Sequence, residues 1–258
     1  MKKYLKSFKS YTFLLSELVK RGIRLKYRRS YLGILWSLAE PLMTTIVLVI
    51  VFGTLFGRSR EFPLYVMSGK LLYGFFSAAT KSGCKSVRRN ASMIKKVYVA
   101  KYLYPLSSVL FNFIIFAISL LVIIPVCIYC GIFPQLQYVW QLIPGLLNLL
   151  ILTLGVSVVL ATLNVFFRDI EYLWNVLLMI IMYLCAIFYP VERLMDSGWA
   201  WLLNLNPLYG CIDMFRGALI GYQVEFYYFA YSFIFGVVTL IIGLVFFKAK
   251  QDEFILHL

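Results

Sequence analysis

Six stretches of mostly apolar residues recur along the chain, at 34–56, 62–79, 106–130, 142–167, 172–189 and 227–247. A helix needs about 20 apolar residues to cross roughly 30 Å of hydrocarbon. Lipid offers no partner for free backbone groups, so helix is the expected form. The runs are too long and unbroken for barrel strands. The pattern predicts an all-α integral membrane protein with six transmembrane helices in a single domain, 1–258. The second stretch is the weakest, because it contains Lys70 and two glycines, Gly69 and Gly74.

Two segments are neither free loop nor full span. In residues 1–30, Tyr4, Phe8, Tyr11, Leu15, Leu18, Val19 and Ile23 fall on one face of a helix. Lys2, Lys3, Lys6, Lys9, Glu17, Lys20, Arg21 and Arg24 fall on the other, with Phe13 as the exception. This is the pattern of an amphipathic helix lying in the membrane interface. Lys26 falls on the apolar face, so the helix should turn there. Residues 190–226, with Pro190, Trp199, Trp201, Pro207 and Phe215, predict two short re-entrant or interfacial helices before the last span.

Composition agrees. Of 258 residues, 62% are hydrophobic and 14% charged, against roughly a quarter charged in soluble domains. The first thirty residues lack a signal-peptide pattern, so the first span is expected to stay. Lysine and arginine set orientation. They crowd residues 1–33, the loop 81–105, Arg168, and Lys248 with Lys250. The other side carries Arg58, Arg60, Arg193 and Arg216. Both termini are thus expected in the cytoplasm. The net charge of +14 reads as topology and attraction to anionic lipid. Nucleic-acid binding is disfavoured, because the basic residues hug span ends.

Catalytic chemistry finds little support. His257 is the only histidine. Gly69-Lys70 is followed by Leu71 inside an apolar run, so no phosphate-binding GxxxxGK[ST] loop exists. Cys127 and Cys130 have CxxC spacing but no second ligand pair, and no metal site is expected among Cys84, Cys127, Cys130, Cys185 and Cys211.

The stretch Tyr27-Arg28-Arg29-Ser30-Tyr31-Leu32-Gly33-Ile34-Leu35-Trp36-Ser37-Leu38-Ala39-Glu40-Pro41-Leu42 leads into the first span. It resembles the corresponding stretch of polysaccharide-exporting ABC transporter permeases, which reads roughly R-Y-x-x-S-x-L-G-x-L-W-x-x-x-x-P-L. Met93-Ile94-Lys95-Lys96-Val97-Tyr98 with Pro105-Leu106, Phe167-Arg168-Asp169-Ile170 and Asn206-Pro207-Leu208-Tyr209 agree in order. Glu40 departs from the pattern, where a neutral residue such as Asn is common. The resemblance implies a homodimer that binds two copies of a separate cytoplasmic ABC ATPase. It implies export of an undecaprenyl-type lipid-linked glycan, such as O-antigen, teichoic acid, capsule or rhamnan, across the bacterial plasma membrane. The glycan would pass between the two permease chains. ATP and Mg would belong to the ATPase, with no cofactor and no enzymatic activity in this chain.

The residues suit that job. In the loop 81–105, Asn90 could cap a short helix through Tyr98, presenting Met93, Ile94 and Val97 beside Lys95 and Lys96 for docking. Arg168 and Asp169 offer a second ATPase contact, or pair with each other and Glu171. Arg24, Lys26, Arg28 and Arg29 sit where an anionic headgroup would arrive, and arginine suits phosphate. Aromatic residues make up 18% of the chain, and Tyr65, Tyr73 and Tyr183 are candidates to line the sugar path. Lys70 is another, since intramembrane charge usually faces a cavity or a partner such as Glu40. Two other functions stay open: a permease exporting drugs or other lipophilic small molecules, and a transferase using a lipid-linked sugar. The first lacks this Tyr27–Leu42 signature. The second needs a cluster of acidic residues or histidines that the chain does not show.

Overall fold

A computed structural model describes residues 2–28, 30–56, 59–96, 99–191, 194, 198 and 201–257, with backbone alone for 2–10, 55 and 56. Every regular element among the described residues is helical. Helix α1 covers Lys2–Tyr27 and leads through a 3-10 turn, Gly33–Leu35, into α2, Trp36–Phe56. Then come α3 (Phe62–Arg89), α4 (Ala91–Ile94), α5 (Leu103–Ser119), α6 (Ile123–Cys130), α7 (Leu136–Val139), α8 (Leu142–Phe166) and α9 (Ile170–Leu184). After these lie α10 (Trp201–Leu205), α11 (Pro207–Arg216), a π turn at Gly217–Gly221, α12 (Phe226–Lys250) and α13 (Phe254–His257).

Four helical runs are long and apolar enough to cross a membrane: Gly33–Thr54, Leu103–Cys130, Leu136–Phe166 and Phe226–Lys250. These carry the first, third, fourth and sixth predicted stretches. The second is a longer helix than its apolar run. Helix α3 continues ten residues past Ala79, because Thr80, Gly83, Cys84, Ser86 and Val87 keep a buried face against α5 and α8 while Lys81 and Arg89 stay exposed. The buried stripe, rather than mean polarity, sets its length.

The fifth stretch is corrected. Helix α9 stops at Leu184 after 15 residues, a length of roughly 22 Å at 1.5 Å per residue. The chain then breaks, with Ala186 at φ 47°. A break inside an apolar bundle frees carbonyls that must find donors. Tyr65 Oη donates to Ala186 O at 2.9 Å and to Tyr189 O at 3.1 Å. Arg216, with no exposed surface, donates from Nη2 to Ala186 O at 3.0 Å and to Tyr65 O at 3.2 Å. Its Nε also reaches Tyr65 O, at 3.3 Å. The guanidinium lies 3.6 Å from the centroid of the Tyr65 ring. A Cβ on Gly69 would come 2.8 Å from Arg216 Nη2, so glycine there makes room for the clamp.

The segment after the break folds back. Asn206 Nδ2 donates to Cys185 Sγ at 3.1 Å, and Asn206 Oδ1 caps α11 by accepting from Leu208 N at 3.1 Å. Tyr231 Oη, a turn inside α12, donates to Leu205 O at 3.2 Å. Asn206 therefore marks a turn between α10 and α11, beside the second turn of α12. The segment after α11 is held by Gln141, whose Nε2 donates to Tyr222 O at 3.1 Å and whose Oε1 accepts from Val224 N at 3.2 Å. Helix α11 is buried from Leu208 to Arg216, so it is part of the core.

Proline at position 41 shows how sequence and packing interlock. Inside α2 it removes the amide that would have bonded Ser37 O. That carbonyl accepts from Ser119 Oγ of α5 at 2.9 Å. Helices α8 and α12 meet through small residues. A Cβ on Gly155 would lie 2.7 Å from Leu240 N, and one on Gly243 3.2 Å from Gly155 O. Close backbone approach of this kind is how helices associate where lipid removes the hydrophobic drive.

Gly155→Ala is expected to lower the thermal unfolding midpoint of the purified chain in detergent, by an overpacking cost of roughly 1–3 kcal/mol. Gly74→Ala, at a position with nothing within 4 Å, should leave the midpoint unchanged or raise it. Arg216→Leu should cost roughly 2–5 kcal/mol by stripping charge-assisted bonds from buried carbonyls. Arg216→Lys should restore it only in part, because an ammonium cannot stack on the Tyr65 ring as the planar guanidinium does.

Candidate functional site

A polar cavity of about 260 Å³ opens where the end of α1 meets α2, α3 and α5. Its charged lining is Lys26, Glu40 and Lys70; Tyr27, Thr44, Asn112 and Ser119 add polar groups, and Trp36, Phe75 and Phe116 add aromatic surface. Each side chain reaches the cavity for a local reason. Helix α1 packs on α5, with Gly22 tight against the Phe111 ring, Val19 buried and Leu18 against the cluster around Tyr104. That packing carries Lys26 and Tyr27, at the helix end, onto the bundle. Glu40 sits one turn into α2, and Lys70 sits two turns into α3, which runs antiparallel to it.

The cavity thus brings Lys70 and Glu40 together with Lys26, yet no ion pair within 4 Å joins them among the described residues. Tyr27 Oη is buried without a hydrogen-bond partner in the described chain. The site therefore offers two ammonium groups against one carboxylate, with an amide beside aromatic walls. This is chemistry for an anionic group attached to a larger apolar or sugar-bearing body.

The other headgroup candidates do not converge there. Arg24 and Arg28 line a separate cavity with Glu17, Lys20 and Arg21, where Lys20 pairs with Glu17 at 2.8 Å. Arg29 lies outside the described residues. Among the channel candidates, Tyr183 is exposed and packs edge-on against Phe188. Tyr65 spends its hydroxyl on the break after α9, as described above. Tyr73 is buried and donates to Leu178 O at 2.8 Å. Within one chain, both hydroxyls serve packing.

The loop 81–105 is built differently from the sequence expectation. The short helix α4 ends at Ile94 rather than reaching Tyr98. Asn90 stands at its start but makes no side-chain cap; its Nδ2 donates back to Ser86 O at 2.8 Å. Ile94 is buried in the chain's own core with Val87, Tyr104, Val158, Phe247 and Phe254, and Met93 packs against that cluster. An apolar residue next to an unfilled core completes it before any partner arrives. Lys95 and Lys96 remain exposed, as do Arg168 and Asp169. Val97 lies outside the described residues. Glu171 pairs with Lys85 instead of with its neighbours.

Arg216, which the sequence groups with the outer charges, is wholly buried. The signal was available in its setting, a lone arginine in an apolar helix framed by Asn206-Pro207 and Gly217.

Relatives of known kind put this geometry in context. The O-antigen export system permease protein RfbA of Klebsiella pneumoniae is 26% identical over 242 residues, 93% of each chain. The polysialic acid transport protein KpsM of Escherichia coli is 22% identical over 236 residues, 90% of this chain and 91% of the relative. The capsule polysaccharide export inner-membrane protein CtrC of Neisseria meningitidis serogroup B is 23% identical over 217 residues, 83% and 82%. A sequence model described as ABC-2 type transporter matches residues 14–220. With most of its length matched in this way, the chain belongs to the ABC-2 type transporter membrane family.

Proposed function

We propose that the chain is the transmembrane subunit of an ATP-driven exporter that moves a lipid-linked polysaccharide out of the cytoplasm across the bacterial plasma membrane. The observation that carries this reading is the polysaccharide-export role named for relatives that cover about nine tenths of the chain. The cavity at Lys26, Glu40 and Lys70 supplies a matching physical site. An anionic lipid-phosphate headgroup fits two lysines, which outnumber the Glu40 carboxylate, and sugars fit the neighbouring aromatic faces.

In this reading two copies of the chain form the translocation path and two copies of a cytoplasmic ABC ATPase power it. ATP and Mg act in that partner. Six segments cross the bilayer: the four apolar runs, α3, and α9 extended by the segment after its break. Both termini face the cytoplasm, where the lysines and arginines concentrate. Helix α1 lies along the inner interface and feeds the cavity, and the α10–α11 hairpin is re-entrant from the outer side. The exposed Lys95, Lys96, Arg168 and Asp169 meet the ATPase, while Ile94 and Met93 brace the loop from beneath. Arg24, Arg28 and Arg29 gather anionic headgroups at the interface before one reaches Lys26.

Deletion of the gene should remove a surface glycan and leave resistance to toxic lipophilic compounds unchanged; the opposite pattern would favour a drug exporter. Tagged wild-type chain in mild detergent should bring down an ATPase subunit. Lys95→Glu with Lys96→Glu should weaken that capture about tenfold or more without moving the unfolding midpoint, since neither side chain is in the core. Recovery of no ATPase with the wild type would sink the transporter reading. Lys70→Met should leave the assembly intact and cut glycan export about tenfold, the worth of one charge-assisted contact. Export at the wild-type rate would remove the cavity from the substrate path.

A further inference from the structure

A second polar cavity, of about 350 Å³, lies at the other end of α3, between its last turns, the α8–α9 turn and α13. Lys85, Arg88 and Arg89 come from α3, Arg168 from the turn and Glu171 from the first turn of α9. Glu171 is taken by its ion pair with Lys85. The fully buried Asn164 accepts from Arg88 Nη1 at 3.3 Å and donates to Cys84 O at 2.9 Å, which fixes the Arg88 guanidinium at the cavity wall. Arg88, Arg89 and Arg168 thus share one cavity, with no carboxylate within 4 Å among the described residues.

Converging cations repel one another unless an anion joins them. Guanidinium groups match phosphate oxygens by paired hydrogen bonds. The first turn of α9 adds the positive end of a 15-residue helix at the same place. From there Tyr172, Leu173, Val176 and Leu177 form an exposed apolar strip along α9. A phosphate held in the cavity would have a greasy surface beside it for attached acyl chains.

We propose that this cavity binds the phosphate group of an anionic ligand, supplied by the headgroup of an acidic membrane lipid or by a soluble phosphate compound. The site is distinct from the Lys26–Glu40–Lys70 cavity and does not depend on what that cavity carries; it shares Arg168 with the surface proposed to meet the ATPase.

Native mass spectrometry of the purified full chain tests it, with phosphatidylglycerol, phosphatidylcholine and inorganic pyrophosphate as probes. Phosphatidylglycerol should be retained in preference to phosphatidylcholine. Arg88→Gln with Arg168→Gln should retain about tenfold less. Lys95→Gln with Lys96→Gln, an equal change of charge, should retain as much as the wild type. Displacement of the lipid by pyrophosphate, or binding of pyrophosphate alone, assigns the same cavity to a soluble phosphate compound. Equal retention of both lipids with no pyrophosphate binding overturns the proposal. So does a double variant that binds both probes normally yet loses the ATPase subunit, which would make the cluster a protein contact. The single Arg168→Gln change, on an exposed turn, guards against misfolding: it should weaken binding with an unchanged unfolding midpoint, and unchanged binding in that variant counts against the site.

Discussion

A chain that interrupts a helix inside an apolar bundle must supply donors for the carbonyls it releases. Water is not there to do so, and each unmet group costs several kcal/mol in hydrocarbon. Here the interruption follows Leu184, and the donors are the Tyr65 hydroxyl and the Arg216 guanidinium. Much else is arranged around that contact. Gly69 leaves the space for the guanidinium, α11 holds Arg216 in place, and the Asn206 cap fixes where α11 begins. The clamp joins three parts distant in sequence: α3, the end of α9 and the returning hairpin. A buried arginine is costly on its own. Its Nε and Nη2 meet carbonyls and its face meets an aromatic ring, while Nη1 is left without a partner among the described residues.

The same logic of satisfied backbone runs through the rest of the bundle. Pro41 frees the Ser37 carbonyl, and Ser119 takes it from the facing helix. Tyr73 reaches the Leu178 carbonyl, and Asn164 reaches that of Cys84. Glycines at the α8–α12 contact bring two backbones close enough for dispersion to act where hydrophobic exclusion cannot. Some polar side chains within the apolar helices therefore act as cross-links, while Thr80, Thr153 and Thr162 return to carbonyls of their own helix. Lys70, Glu40 and Lys26 instead share a cavity.

The apolar runs, the basic bias of the loops and the amphipathic face of residues 1–30 were legible without coordinates. They depend on periodicity and composition, which are local properties. The coupling loop was less so. Ile94 reads as an exposed anchor beside Lys95 and Lys96, because nothing nearby in sequence announces that Val158, Phe247 and Phe254 stand ready to bury it. Arg216 reads as an outer charge for the same reason: its partners lie 151 and 30 residues away. The headgroup set split because residues close in sequence on α1 face two different cavities, a division that follows from which side of the helix rests on α5.

By itself, then, the amino-acid sequence determined that this is a helical membrane protein, roughly where its long helices run, and which of its charges are unusual enough to matter. Hydrocarbon enforces those features one segment at a time. Tertiary structure alone decided that the fifth apolar stretch breaks, that α3 outruns its apolar run, and that Tyr65 and Tyr73 serve packing. It also decided that Lys26, Glu40 and Lys70 line one cavity. Each of these depends on packing between residues far apart in the chain. Such pairings exist only once the helices have chosen their neighbours.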